Sequence, residues 1–259
     1  MTRCRLPTSS SLREFAEAPA AFLPALDTRI VETGRYYARA SPNGKYLEVC
    51  RLRITPDEAY DVFAEVTAIQ PRARTTWTVV APADDVVAAL KDAGCRDPDP
   101  PLVPTFTALA TEQEPPEVAG VDIRKIESFE DFLVGLELVL SDDWSDDHRA
   151  RQRAEAEETY VRRRARPGGE WLAYVGGKPA AWGGAVFCER GMYLAGAITL
   201  PEYRGRGCYR ALLRARWDEA VRLGAPALVV HAQETSRPIL ERCGFERVAT
   251  LHELASGPR

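Results

Sequence analysis

What the chain is short of already narrows its chemistry. It holds only three histidines, His148, His231 and His252, and none stands at a spacing from cysteine that makes a zinc site. Its six cysteines are scattered, with no Cys-x-x-Cys pair, so neither a disulfide scaffold nor a dithiol motif is expected. The thiols read as reduced and mostly buried, and no metal is expected. Neither sign of charge prevails: 34 basic residues face 38 acidic ones, for a net of -4. A domain that grips nucleic acid by charge is usually strongly basic, so no nucleic-acid partner is expected. No apolar run approaches the roughly 20 residues of a membrane span, and the start, Met1-Thr2-Arg3-Cys4-Arg5-Leu6-Pro7, lacks the apolar stretch of a signal peptide. A cytoplasmic protein without membrane contact is the expectation.

What is present is ample material for a core. With 259 residues, 45% of them hydrophobic and 28% charged, the chain is about one and a half to two average domains long and is not expected to be disordered. A polar, proline-bearing stretch, Thr111-Glu112-Gln113-Glu114-Pro115-Pro116-Glu117, reads as a linker between domains at 1–112 and 118–259. In the second domain, alternation and turn residues predict strands at 121–126, 171–175, 180–187 and 192–200. Helical spacing predicts helices over 129–140, 147–163 and 207–223. A short apolar strand at 227–232 follows, then a helix at 237–242 stopped by Gly244, and a closing strand at 245–254. The first domain shows a strand at 46–54, a helix at 56–68, a strand at 77–80, a helix at 84–92, then Gly94 and a strand at 102–109. The expected class is mixed α/β (α+β): a mostly antiparallel sheet flanked by helices, with a smaller N-terminal α/β domain.

The segment that carries chemistry is Ala197-Ile198-Thr199-Leu200-Pro201-Glu202-Tyr203-Arg204-Gly205-Arg206-Gly207-Cys208-Tyr209-Arg210. An apolar strand runs through a proline into a turn rich in glycine and arginine, and then into a helix. Glycines at 205 and 207 allow close backbone approach and unusual dihedrals. The first helical turn leaves N–H groups without internal partners at the positive end of the helix dipole, which suits a phosphate or pyrophosphate. Arg204, Arg206 and Arg210 add forked donors. It is not the ATP-type loop, since no Gly-Lys-Ser/Thr follows, and the dinucleotide fingerprint Gly-x-Gly-x-x-Gly is absent. Taken alone, the stretch also fits a glycine-rich strand–helix turn with solvated arginines.

Order adds to this. Three antiparallel strands, the Arg-Gly-Arg-Gly helix, a short strand, then Ile239-Leu240-Glu241-Arg242-Cys243-Gly244-Phe245 and a last strand resemble the GCN5-related N-acetyltransferase (GNAT) superfamily over about residues 120–255. There the pattern Arg/Gln-x-x-Gly-x-Gly/Ala wraps the pyrophosphate of acetyl-coenzyme A. Here Arg204-Gly205-Arg206-Gly207-Cys208-Tyr209 keeps the first two fixed positions, while Tyr209 replaces the small residue at the third. The resemblance implies that backbone groups of Ile198, Thr199 and Leu200 hold the pantetheine arm as an added strand would, and that amides from Gly205 to Arg210, with Cys208 and Tyr209 between them, hold the pyrophosphate. It implies an acetyl-CoA-dependent N-acetyltransferase acting on a primary amine of a small molecule or peptide, as monomer or homodimer. Two other readings stay open: the same fold used for another thioester reaction such as decarboxylation, and a non-catalytic acyl-CoA-binding module.

The catalytic positions depart from the family. Gln233 and Leu240 stand where many relatives carry asparagine and tyrosine, and Tyr193 stands near where some carry a glutamate base. His231, whose ordinary pKa of about 6.5 suits proton transfer, is the titratable alternative, and a histidine satisfied at a strand end is the other reading. In Ser141-Asp142-Asp143-Trp144-Ser145-Asp146-Asp147, the residues Asp142, Asp143 and Trp144 are candidates to attract and stack on a cationic amine. The same residues also make a solvated helix start. The resemblance extends to tandem members of the superfamily, in which the N-terminal half would be a degenerate copy, and an unrelated α/β cap is the alternative.

Overall fold

A computed structural model describes residues 9–24, 28–99, 102–140 and 144–258. In chain order the first half holds α1 (Ser9–Glu17), β1 (Arg29–Glu32), β2 (Tyr37–Ala40), β3 (Tyr46–Cys50), α2 (Ala59–Ile69), β4 (Arg74–Val80), α3 (Asp84–Ala93) and β5 (Thr105–Thr111). The second half begins with β6 (Asp122–Lys125), α4 (Phe129–Val139), α5 (Asp146–Ala154), α6 (Ala156–Arg164), β7 (Gly168–Val175) and β8 (Lys178–Cys188). It continues with β9 (Gly191–Thr199), α7 (Cys208–Arg222), β10 (Leu228–Ala232), α8 (Arg237–Glu241) and β11 (Glu246–Ser256).

The described residues divide into two compact units. One takes 9–110, 231–240 and 246–258, and the other takes 111–230 and 241–245. One division falls between residues 110 and 111. The expected second domain, 118–259, differs at its end, because β11 lies in the first unit. There it pairs antiparallel with β4, from Leu251↔Val80 to Ser256↔Thr75, and with β5 on its other side. That unit's sheet runs β1-β2-β3-β4-β11-β5. Its core centres on Trp77, which is fully buried, stacks on Phe63 at 5.9 Å and donates its indole N–H to Ser256 Oγ at 3.0 Å. A buried indole brings a large apolar area and one donor that must be satisfied, and β11 supplies the acceptor.

The second unit's sheet runs β6-β7-β8-β9-β10, antiparallel except for β9 and β10. Helix α4 starts on a cap that its sequence announces: Ser128 Oγ accepts from Asp131 N at 3.0 Å. The single helix expected over 147–163 is two, broken at Glu155 (φ -95°, ψ 9°). α5 is polar all round and buries nothing, while α6 buries Ala156 and Thr159. The break re-aims the chain so that Ala156 and Tyr160 reach the cluster of Phe132, Leu136, Leu172 and Trp182.

The two halves share an order of elements. In each, an antiparallel meander (β1-β2-β3; β7-β8-β9) leads through a crossover helix (α2; α7) to a parallel partner strand (β4; β10). A helix (α3; α8), a glycine at positive φ (Gly94, 126°; Gly244, 88°) and a last strand (β5; β11) follow in each. Sequence periodicity misses α1, β1 and β2. β2 is buried along its whole length, and its Arg39 breaks any apolar pattern. That guanidinium is satisfied by the carbonyls of Leu23, at 2.9 Å, and Pro24. The strand expected over 46–54 stops at Cys50, because Arg51 turns the backbone with φ 52°.

Candidate functional site

In the second unit the partner strands β9 and β10 separate. β10 pairs with β9 only at Leu228↔Met192 and Val229↔Tyr193, while β8 follows β9 from Gly191 to Thr199. The far edge of β9 beyond Tyr193 therefore faces no partner in β10, and Ala195, Gly196 and Ala197 are exposed. A bulge bends the strand there. Between Ala185↔Leu194 and Gly183↔Ala197, β9 carries one residue more than β8, and Gly196 takes φ 98°. The amide of Leu200 is bound inward, to Ala180 O at 3.0 Å. By strand alternation the backbone groups of Ala197 and Thr199 then face the open side, and Ile198 turns inward, its side chain packing with the α4 cluster.

β9 runs into a short 3-10 turn, Pro201–Tyr203, then into Arg204, Gly205, Arg206 and Gly207. Gly205 (φ 76°) and Gly207 (φ 85°) are both left-handed, and Gly207 is the N-cap of α7. The α7 N-terminus is bare, with no side-chain cap and no acidic residue in its first turn. By contrast, α4 and α5 are capped by Ser128 and Ser145, and α2, α3 and α6 carry carboxylates in their first turns. Arg204, Arg206 and Arg210 are exposed, Arg206 over the Tyr203 ring at 5.6 Å. Cys208 is buried, with its thiol pKa raised by that burial. Tyr209 is half-buried, and burial raises its phenol too.

The corresponding place in the first half is closed. β3 pairs with β4 over four of its five residues, from Tyr46↔Arg74 to Val49↔Trp77. β2 and β3 pair in unbroken register, without a bulge. The chain then enters α2 through Thr55 and Glu58. Glu58 Oε2 accepts from Thr55 N at 2.8 Å and from Thr55 Oγ1 at 3.1 Å, a capping box that holds the Glu58 carboxyl below its usual range. A carboxylate of the protein itself thus stands at the entry to α2.

The other expected residues are placed as follows. Tyr193 lies where β9 and β10 still pair. His231 lies two residues beyond Val229, the last residue of β10 that pairs with β9. Its Nε2 is 2.9 Å from Ala16 O, which makes that nitrogen the donor. Burial pushes its pKa down to about 4, partly opposed by the Ala16 contact, so the ring is neutral near pH 7. Leu240 is fully buried and offers no acid. Trp144 stacks on His148 at 4.1 Å, and the acids that follow it do helix-start work: Ser145 Oγ accepts from His148 N, and Asp146 and Asp147 fill the first turn of α5. Asp142 and Asp143 lie outside the described residues. The sequence reading missed the Gly196 bulge, although a Gly183-Gly184 pair facing Gly196 inside strands is its usual mark. It also missed the Thr55–Glu58 box, which the Thr-x-x-Glu spacing announces.

Solved structures with this architecture are of the N-acetyltransferase fold. The GCN5-related N-acetyltransferase from Kribbella flavida superposes with a TM-score of 0.65 at 16% identity, covering 96% of each chain. A tandem GNAT protein from the clavulanic acid biosynthesis pathway gives 0.56 at 16%, covering 98% of this chain and 91% of that one. A conserved protein of unknown function from Staphylococcus epidermidis gives 0.68 at 11%, covering 90% and 96%. At such identities the likeness is one of fold. Residues 135–245 match the Acetyltransferase (GNAT) family. No curated protein matches the sequence. Among the described residues no group of His, Cys, Asp and Glu is placed to hold a metal, and no helix is long and apolar enough to cross a membrane.

Proposed function

We propose that the chain is an N-acetyltransferase that takes an acetyl group from acetyl-CoA to a primary amine of a small molecule or peptide. The observation that carries this is the contrast between the halves. In the second, a bulged strand with an unpaired edge runs through a glycine turn into a bare helix N-terminus, and in the first the strand is paired and bulge-free and the helix entry is capped. The pyrophosphate would rest on the amides of Gly205 to Arg210 with Arg204, Arg206 and Arg210 around it. The pantetheine arm would lie along β9, bonded through Ala197 and Thr199. A thioester so held supplies an activated acyl group and a thiolate leaving group. The chain's part is to align the two reactants and exclude water.

Proton transfer is the thinner part of the machinery. His231 at a pKa of about 4 is a weak base near neutrality and is engaged with Ala16. Its role in this reading is to hold α1, with the amine losing its proton to water or arriving neutral. The first half is read as a degenerate copy of the same fold, its anion seat filled by Glu58.

Calorimetry with acetyl-CoA tests the donor site. Micromolar binding by the wild type is expected, with a loss of about tenfold or more, ~1.4 kcal/mol, in Arg204→Ala and Gly207→Glu. Thiol release with a panel of amines then identifies the acceptor class. Absence of binding to acetyl-CoA and malonyl-CoA alike would overturn the proposal, and preference for malonyl-CoA would favour a decarboxylase.

A further inference from the structure

We infer that Arg216 is a positioning residue for the acyl thioester, holding the β9 bulge from inside the protein in the bend that presents the strand's backbone to the donor. The inference rests on the donor site proposed above and extends it to a residue that touches no ligand.

Arg216 lies on α7 with 1% of its surface exposed, among the largest fully buried side chains. Its Nε donates to Leu212 O at 2.9 Å within its own helix. One terminal nitrogen, Nη1, reaches Gly184 O at 3.4 Å, and Nη2 has no hydrogen-bond partner. Burial pulls the guanidinium down to about 10, and the group stays charged. A buried cation without a carboxylate is costly, and a buried donor without an acceptor in a native structure needs a reason.

The place supplies one. Gly184 is the β8 residue that faces the extra residue of β9. Gly183 beside it is open because any Cβ there would stand 3.3 Å from Arg216 Cζ. On the opposite face the Trp182 indole fills the space under the bulge. A Cβ would meet it at 3.1 Å from Gly184, 3.5 Å from Gly196 and 2.8 Å from Gly135 on α4. Four glycines thus clear room for one guanidinium and one indole, which grip the bulge from its two faces. The same α7 begins at the anion turn, and Arg216 sits eight residues on, roughly 12 Å along the axis. The helix therefore fixes the spacing between the turn and the bulge, the two places a CoA thioester would touch.

Arg216→Met, which keeps length and burial, and Arg216→Lys test this. Three readouts are compared: thermal midpoint, affinity for acetyl-CoA against desulfo-CoA, and hydrogen exchange over residues 191–199. Arg216→Met is expected to melt at or above the wild-type temperature, since an uncompensated buried charge is gone. It should bind desulfo-CoA within about threefold of wild type, exchange faster at the bulge, and lose about tenfold of the preference for acetyl-CoA over desulfo-CoA. Arg216→Lys should recover part of that preference. A lowered midpoint with both ligands weakened in parallel would make Arg216 a structural prop only and overturn the inference. So would an unchanged preference with unchanged exchange. If the wild type bound neither ligand, the donor reading and the thioester role would both fall, and the exchange readout would show whether Arg216 holds the bulge at all.

Discussion

Gly205 and Gly207 flank one arginine at nearly the same backbone angle, and the structure separates what an added methyl would cost at each. At φ 76° and 85° an alanine pays the left-handed penalty of about 1–2 kcal/mol, reduced equally at both sites by the stiffer unfolded chain, about 0.4–1 kcal/mol. The surroundings differ. A Cβ at 205 meets nothing within 4 Å, whereas one at 207 would lie 2.6 Å from Val118 Cγ1, an overpacking cost of about 1–3 kcal/mol. Gly207→Ala is therefore expected to destabilise more than Gly205→Ala by about that amount in urea unfolding at constant slope. Val118→Ala in the Gly207→Ala background should return most of the excess, a coupling of at least about 0.5 kcal/mol. Equal effects at 205 and 207, or additivity with Val118→Ala, would refute the claim that the turn is seated on the 111–120 segment and leave strain as the whole cost.

Three further outcomes follow from buried ionisable groups. Glu219 accepts from Arg222 at 2.8 Å and Lys125 at 2.7 Å, which hold its carboxyl near 2 against the pull of burial. Its stabilisation is present above its ordinary pKa of 4.5 and lost as pH falls toward 2. The full shift is worth about 3 kcal/mol, and solvent screening on the Arg222 side leaves about 1–2 kcal/mol, which Glu219→Gln should lose at pH 7 and not at pH 2 in urea titrations. Glu253 is raised to about 7 by burial and by Glu48, with Arg74 opposing. It weakens the fold increasingly as pH rises from 4.5 through 7, so Glu253→Gln should stabilise by about 1–2 kcal/mol at pH 8 and change nothing at pH 4. His231, held neutral to about 4, stabilises fully above 6.5 and progressively less toward 4. His231→Gln keeps a donor for Ala16 and should flatten that limb of the stability profile. Under the proposed function it also leaves the pH dependence of kcat near neutrality unchanged, and loss of the acid-side limb would restore His231 as the base.

The turn over residues 201–210 was legible because its determinants are local. Proline, two left-handed glycines and a helix start without cap or acid lie within ten residues, and each has one common structural use. The distinction between the halves was half legible: Thr55 and Glu58 announce a capped helix, but only pairing shows that β3 is closed against β4. Arg216 was illegible. In sequence it is one of several arginines on α7, among solvated neighbours such as Arg214 and Arg222, and its burial depends on glycines about thirty residues upstream. The acceptor side stayed obscure for another reason. Acids at a helix start serve the helix first, as Asp146 and Asp147 do, so their presence does not announce a ligand.

The position of β11 bears on how the chain is made. The first unit's sheet is completed between β4 and β5 by a strand that is made long after them, and Ser256 satisfies an indole at position 77, 179 residues earlier. Until that strand arrives, β4 and β5 expose backbone edges that invite pairing with other chains. Completion of the N-terminal half thus waits until residues 246–256 have been made, at the high contact order that slows folding. A ribosome stalled short of residue 246 would hold an N-terminal half with its central strand still missing.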